Sequence, residues 1–178
     1  MKYLLFVFLL LLAVPASAQD KAVTSGTQYD SWMIRCEGEG TARQCETFQR
    51  LTRAATGERM IEFALGFTSI EKLRGQSIAP SSVAAAKTEA ARAVIVLPLG
   101  ILLPDGVTLL IDNKHRFAFQ IRYCTPDGCY ATLNLNRGAQ DQLTRGFNAA
   151  ITFRTMDSQD ISLPIDLKGL GSALQAIR

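Results

Sequence analysis

The chain has 178 residues, of which 48% are hydrophobic and 20% are charged, and its formal net charge is +3. This composition excludes an intrinsically disordered protein, and the dispersed basic residues argue against nucleic acid as the main partner. A single histidine removes most histidine-based catalytic and metal sites, and the length suits one domain with an ordinary core.

Residues 1–18 have the pattern of a secretory signal peptide. Lys2 supplies a positive charge, residues 4–14 are uniformly apolar, and residues 16–18 read Ala-Ser-Ala, a small-residue cleavage signal. The apolar run is far shorter than the ~20 residues that a membrane-spanning helix needs. We therefore predict cleavage after Ala18, and a mature chain (residues 19–178) that forms one β-rich domain with no transmembrane segment.

Export changes how the four cysteines are interpreted, because disulfides persist in oxidising compartments. Cys36, Cys45, Cys124 and Cys129 allow three pairings, and their positions favour the two local pairs. The second pair flanks residues 125–128, whose Pro-Asp-Gly turn chemistry would bring its cysteines opposite each other in a hairpin. Neither spacing is the C-x-x-C of redox pairs and zinc sites, which remain less favoured alternatives.

Alternation of apolar and polar residues dominates the mature chain and predicts half-buried strands. In one alternating segment, Phe117, Phe119, Ile121 and Tyr123 are predicted to share the buried face. Residues 94–97 form a continuous apolar run that is typical of a strand buried on both faces. The remaining predicted strands cover residues 32–36, 44–51, 61–68, 107–111, 131–136, 149–154 and 161–166.

Helical pattern is sparse. One short helix is predicted over residues 139–145, ending at Gly146, and another over residues 168–177 near the C-terminus. The alanine-rich stretch 82–93 is predicted to be an inserted loop with a helical turn, and residues 80–89 to be the most mobile segment. The fold class that follows is all-β, an antiparallel β-sandwich or barrel-like domain with one or two short helices.

An ordered set of motifs resembles the invasion-associated locus B family of small exported bacterial proteins. The features are Trp32 before Arg35-Cys36, the segment LPLGILLPDGV at 97–107, the Cys-x-x-x-Gly-Cys hairpin at 124–129, and ISLPIDLKGL at 161–170. The resemblance covers nearly all of the mature chain. It implies an envelope location and a role in contact with host cells, with no enzymatic residues to transfer. The alanine-rich stretch before residue 94 is longer than the resemblance leads us to expect.

A search for catalytic, cofactor-binding and metal-binding residues yields none. His115 is interpreted as a lone exposed histidine at a hairpin turn, because a general base needs an oriented partner. Asp105 and Asp112 could meet across a hairpin as a carboxylate pair, although turn and strand-end aspartates are far commoner. Nucleophile-elbow, phosphate-loop and calcium-loop motifs are absent from the sequence.

Signals for binding are weak. Trp32 could stack on a ligand, but beside a disulfide it is interpreted as a core residue. A loose basic run could contact acidic lipid or polysaccharide, although interspersed glutamates favour a solvated strand face. The run consists of Arg43, Arg50, Arg53, Arg59, Lys72 and Arg74.

The sequence therefore predicts an exported, non-enzymatic envelope protein of the periplasm or outer surface, whose partner is an envelope or host-surface protein or polysaccharide. One alternative is a periplasmic module that binds or inhibits a small ligand or protein, through a deep apolar pocket or a protruding loop such as residues 100–106. A hydrolase with a hidden site is the least favoured alternative.

Overall fold

The computed structural model of the chain describes residues 24–68 and 90–178. This part of the chain forms ten strands and two short helices. The strands are β1 (Gln28–Tyr29), β2 (Trp32–Glu37), β3 (Gln44–Thr52), β4 (Arg59–Thr68), β5 (Ala90–Leu97), β6 (Val107–Ile111), β7 (His115–Thr125), β8 (Gly128–Leu135), β9 (Asn148–Arg154) and β10 (Asp160–Asp166). The helices are α1 (Arg137–Arg145) and α2 (Leu170–Ala176). The predicted leader, residues 1–18, lies outside the described residues.

All ten strands belong to one antiparallel sheet in the order β1-β2-β3-β4-β5-β8-β7-β6-β9-β10. The sheet curls around a single hydrophobic core, to which β2 and β4 to β10 contribute side chains together with both helices. Local hairpins supply most of the pairings, which is why alternating patterns separated by turn sequences could specify the sheet. The predicted all-β antiparallel fold with one or two short helices is confirmed, as one ten-stranded antiparallel sheet with two short helices.

Three aromatic rings cross the interior and mark the centre of the core. Trp32 of β2 is fully buried and meets Phe63 of β4 edge-on at 5.8 Å, and Phe63 meets Phe119 of β7 at 6.4 Å. Edge-to-face contacts of this kind add about 0.5–1.5 kcal/mol to the burial of the rings. Trp32 is therefore a core residue and not a ligand platform.

A side-chain amide joins β3 to the β10 edge of the curled sheet. Gln49 of β3 accepts a hydrogen bond from the backbone N–H of Asp166 at 3.1 Å and donates one to its carbonyl oxygen at 3.0 Å. Trp32 Nε1 donates to the same carbonyl at 2.9 Å. Gln49 thus satisfies both backbone groups of Asp166, as a neighbouring strand would. Pro164 of the same edge strand has no N–H to offer.

The carboxylate of Asp166 belongs to the same junction. It accepts hydrogen bonds from the Ser31 hydroxyl at 2.6 Å and from the Lys168 N–H at 2.9 Å. These bonds, and then the nearby Lys168 charge, hold the pKa of Asp166 below its ordinary value.

The outer face of β4 departs from the predicted pattern, because Glu62 and Ala64 are buried and not wet. Arg35 and Arg50 reach over this face and both bind the Glu62 carboxylate, at 3.1 Å and 2.5 Å. The same guanidinium groups lie over the ring of Phe48. A buried carboxylate is tolerated here because both of its oxygens have charged donors.

The prediction for Tyr123 was wrong. Phe119 is buried and Ile121 packs against the core, but the register of β7 shifts between Ile121 and Tyr123. One extra residue reverses the side on which the next side chain lies. Tyr123 therefore lies on the outer face opposite Tyr130, and the residue is 57% exposed.

The two helices lie where they were predicted, with small shifts at their ends. Helix α1 begins earlier than expected because the Asn136 side chain caps it, accepting the Ala139 N–H at 2.8 Å. The prediction for the end of the alanine-rich stretch was wrong, because residues 90–93 are part of β5 and pair with β4 and β8. Residues 80–89, which we predicted to be mobile, lie outside the described residues.

Candidate binding surface

The hairpin formed by β7 and β8 is closed by a disulfide between Cys124 and Cys129, which are direct cross-strand partners with Cα atoms 4.0 Å apart. Pairing between β6 and β7 ends at Val107 and Phe119. Beyond that point, residues 120–125 pair only with β8 among the described strands. The hairpin therefore extends past its neighbour on one side, with the disulfide near its tip.

Contacts from several directions fix the turn of this hairpin. The Thr125 hydroxyl accepts the Asp127 N–H at 3.2 Å, and Arg59 of β4 donates to the carbonyl of Asp127. Gly128 has φ +139°, and an added Cβ would lie 2.3 Å from the carbonyl oxygen of Leu97. No larger residue fits at this position without backbone movement, so the hairpin is preorganised.

Two stacked tyrosines lie on the outer face of the same hairpin. The rings of Tyr123 and Tyr130 are 4.9 Å apart and inclined by 20°. Arg122 precedes Tyr123 in β7, and its guanidinium lies 3.5 Å from the side-chain oxygen of Gln120. We call these four side chains the tyrosine platform. The platform combines an exposed aromatic ring with a polar rim on a rigid support, a composition typical of recognition surfaces.

The hairpin formed by β2 and β3 carries the other disulfide, between Cys36 and Cys45, again with Cα atoms 4.0 Å apart. Met33 is an exposed apolar residue of β2, whereas Arg35 and Glu46, beside the disulfide, pair with each other. Burial alone would lower the pKa of Arg35, but hydrogen bonds and charges from Glu46 and Glu62 outweigh it and raise that pKa above its ordinary value. These side chains are committed to the fold.

Two shallow cavities lie on the outer surface. One of about 370 Å³ lies beside the first hairpin and includes Arg35, Glu37 and Arg92 in its lining. The other, of about 330 Å³, includes Asp105 and Arg154. Charged side chains line both, so neither is the deep apolar pocket that a small-ligand module would use.

The possible carboxylate pair is not formed. Asp105 precedes β6 and pairs with Arg154 at 3.1 Å, whereas Asp112 follows β6 and accepts the N–H groups of Phe147 and Asn148. The two aspartates therefore lie at opposite ends of one strand and have different structural tasks. His115 is exposed and follows the turn that joins β6 to β7, as predicted.

Residues 100–106 are fastened to the β9–β10 hairpin. The Leu102 N–H donates to the Arg154 carbonyl at 2.7 Å, and the Met156 N–H donates to the Gly100 carbonyl at 2.9 Å. Ile101 is buried, while Leu99, Leu103 and Met156 remain more than half exposed. The segment thus forms a small apolar area and not a freely protruding loop.

The loose basic run is partly neutralised. Arg50 pairs with Glu62, Arg53 lies 3.8 Å from Glu58, and Arg59 donates to a backbone carbonyl. Lys72 and Arg74 lie outside the described residues. These three arginines support the interpretation of the basic run as a strand face whose charged side chains have partners within the fold.

Within residues 24–68 and 90–178, no group of three or more His, Cys, Asp or Glu side chains could hold a metal ion. No helix in those ranges combines the length and the apolar character needed to cross a bilayer.

The tyrosine platform was missed by sequence reasoning, although the sequence contains a usable signal. Tyrosines flank the two cysteines symmetrically, in the order Tyr123-Cys124 and Cys129-Tyr130. If the cysteines pair directly across a hairpin, their outer neighbours must pair as well. Strict alternation along β7 predicted that Tyr123 is buried, because a residue pattern does not show the bulge.

Comparison with known proteins places this architecture in a family. The model of the invasion associated locus B (IalB) protein family matches residues 32–178. Invasion protein B homologs of Brucella abortus strain 2308 and of B. abortus biovar 1 strain 9-941 are each 27% identical over 167 residues, 93% of this chain and 86% of theirs. The crystal structure of invasion associated protein B from Bartonella henselae shares the fold, with a TM-score of 0.66 at 18% identity, covering 85% of this chain and 92% of that one. The chain belongs to the invasion-associated locus B family.

Proposed function

We propose that this chain is an exported, non-enzymatic cell-envelope protein that acts by binding, in the periplasm or at the outer surface, and that it takes part in contact with host cells. The observation that carries the proposal is the exposed tyrosine platform on a hairpin closed by a disulfide. A preorganised surface loses little conformational entropy when it binds, which favours affinity.

Export is supported by the leader pattern of residues 1–18 and by the two disulfides, which require an oxidising compartment to persist. The family name and the names of the relatives, which refer to invasion, support a role in contact with host cells.

A binding role is also supported by the way the charged residues are used. Glu62 is occupied by two arginines, Asp112 by two backbone N–H groups, and Asp166 by Ser31 and Lys168. These carboxylates contribute to the fold, and none of them has a free acid or base partner of the kind that hydrolysis needs.

A second candidate is a periplasmic module that binds or inhibits another protein. The observation in its favour is the apolar area formed by Leu99, Leu103 and Met156, because single-sided apolar surfaces of this kind occur at protein interfaces. This area is separate in sequence from the tyrosine platform.

The test measures binding of the fluorescently labelled, oxidised mature protein to isolated bacterial envelopes and to host-cell membranes. We expect saturable binding that falls about tenfold or more in Tyr123→Ala, and that is lost after reduction of the disulfides. Met156→Ala serves as the matched variant for the second candidate. If Met156→Ala abolishes binding and Tyr123→Ala leaves it unchanged, the second candidate replaces the first.

A further inference from the structure

We infer that the tyrosine platform is a carbohydrate-binding site, which takes one pyranose ring of an acidic polysaccharide. This inference rests on the proposed function and names the ligand class of the same surface. Its observations are the stacked pair of Tyr123 and Tyr130, the arginine beside it, and the disulfide that holds the hairpin.

The stacked geometry leaves one flat aromatic face for a ligand. The two rings are nearly parallel, so one face of Tyr123 is covered by Tyr130, while the residue as a whole is 57% exposed. A pyranose ring presents axial C–H groups on one face, and this face is apolar and matches a single aromatic ring in size. Contact between the two surfaces removes apolar area from water without burying the sugar hydroxyls.

The rim of the platform supplies polar partners for the edge of a sugar. Gln120 offers an amide with donor and acceptor atoms, and Arg122 offers a planar array of donors. Both residues are exposed, Arg122 precedes Tyr123 in β7, and Gln120 pairs with Thr132, two residues from Tyr130. A guanidinium group binds a carboxylate in two-point geometry, so a uronic acid or a similar acidic sugar would gain a charge-assisted contact that a neutral sugar lacks.

The small apolar area of the platform favours a sugar over a protein partner. A standard protein interface buries about 800 Å² on each partner around a dry apolar centre. Here the neighbours of the exposed ring on its own strand are Arg122 and the exposed Cys124, and Gln120 precedes them. One ring with a polar surround matches a ligand that has one apolar face and a polar edge.

The experiment is affinity electrophoresis of the oxidised, mature protein in native gels that contain polygalacturonate, an acidic pyranose polymer, or dextran, a neutral one. We expect retardation by polygalacturonate that exceeds retardation by dextran. Tyr123→Ala should weaken the apparent affinity about fivefold to tenfold, and Arg122→Gln about threefold. Tyr123→Phe keeps the ring face and should remain within about twofold of the parent protein.

Phe147→Ala is the matched control, because Phe147 is an aromatic residue that is 84% exposed between α1 and β9. The affinity of the Phe147→Ala variant for polygalacturonate should equal that of the parent protein. Thermal melts should show that every variant is folded. Absence of retardation by polygalacturonate, equal retardation by both polymers, or equal effects of Tyr123→Ala and Phe147→Ala would overturn the inference. The carbohydrate inference would also be overturned if the protein shows no affinity for polygalacturonate and its Tyr123-dependent binding to envelopes is lost when the envelopes are treated with protease. That outcome would leave the proposed binding surface intact.

Discussion

Two hairpins of this molecule carry the same covalent device and use it differently. In the β2–β3 hairpin the disulfide lies next to Arg35 and Glu46, whose charges are joined to the buried Glu62. In the β7–β8 hairpin it lies next to Tyr123, which is exposed and stacks on a single neighbour. Beside the first disulfide the charged side chains pair within the fold, whereas beside the second the ring of Tyr123 is exposed to solvent.

A short cross-strand disulfide therefore does not by itself identify a functional region. Both bonds close small loops and both join direct register partners. What separates them is whether the neighbouring side chains already have partners within the fold. Three experiments test how far side chains with partners in the fold differ from exposed ones, and they are given in order of decreasing expected effect on stability.

The largest effects are expected from removing each disulfide separately. Cys36→Ala with Cys45→Ala, and Cys124→Ala with Cys129→Ala, should each lower the free energy of unfolding by about 2–3 kcal/mol, because each opens a short loop in the unfolded chain. The melting temperature should fall by about 5–10 °C in each case, and reduction of the parent protein should lower it further. Circular dichroism melts check the prediction. Binding to envelopes should be lost only in the second pair, and loss in both pairs would contradict the distinction between the hairpins.

An intermediate effect is expected at Glu62. Glu62→Ala leaves Arg35 and Arg50 without their shared carboxylate, and we expect the free energy of unfolding to fall by about 2 kcal/mol. This is less than the usual cost of breaking a buried ion pair, because both arginines remain partly in water. Glu58→Ala is the control, since its contact with Arg53 at 3.8 Å is exposed and should contribute less than about 0.5 kcal/mol. Urea unfolding measures both. If the two variants lose the same free energy of unfolding, the burial of Glu62 adds nothing to the strength of its ion pairs.

The smallest effect concerns pH and Asp166, which fastens the start of β2 to the end of β10. The pKa of Asp166 is lowered in the folded state, so its carboxylate adds stability above about pH 4, the ordinary carboxyl range, and that stability is lost as the pH falls through the folded-state pKa. Asp166→Asn should therefore be less stable than the parent protein at pH 7, and the difference should shrink in melts below pH 4. A difference that stays constant down to pH 2 would show that hydrogen bonding by the side chain, and not its charge, is responsible.

Much of the sheet followed from sequence because its strands pair with near neighbours in the chain. Alternation predicted half-buried strands over residues 131–136 and 161–166, which lie in β8 and β10, and the predicted strand 107–111 has the bounds of β6. The errors arose where a local period was interrupted or overridden. The bulge before Tyr123 reversed its side, and the long-range ion pairs of Glu62 converted a wet face into a buried one. Neither event leaves a trace in residue periodicity, because each depends on residues from another strand.

The junction between Gln49 and Asp166 has a consequence for how this protein behaves when it is concentrated. A sheet margin with free backbone groups invites other copies to add strands and grow into fibres. At this margin the amide of Gln49 already occupies the position of an incoming strand, and Pro164 interrupts the row of donors that such a strand would need. Concentrated copies of the molecule can thus lie side by side without their sheets fusing at this margin.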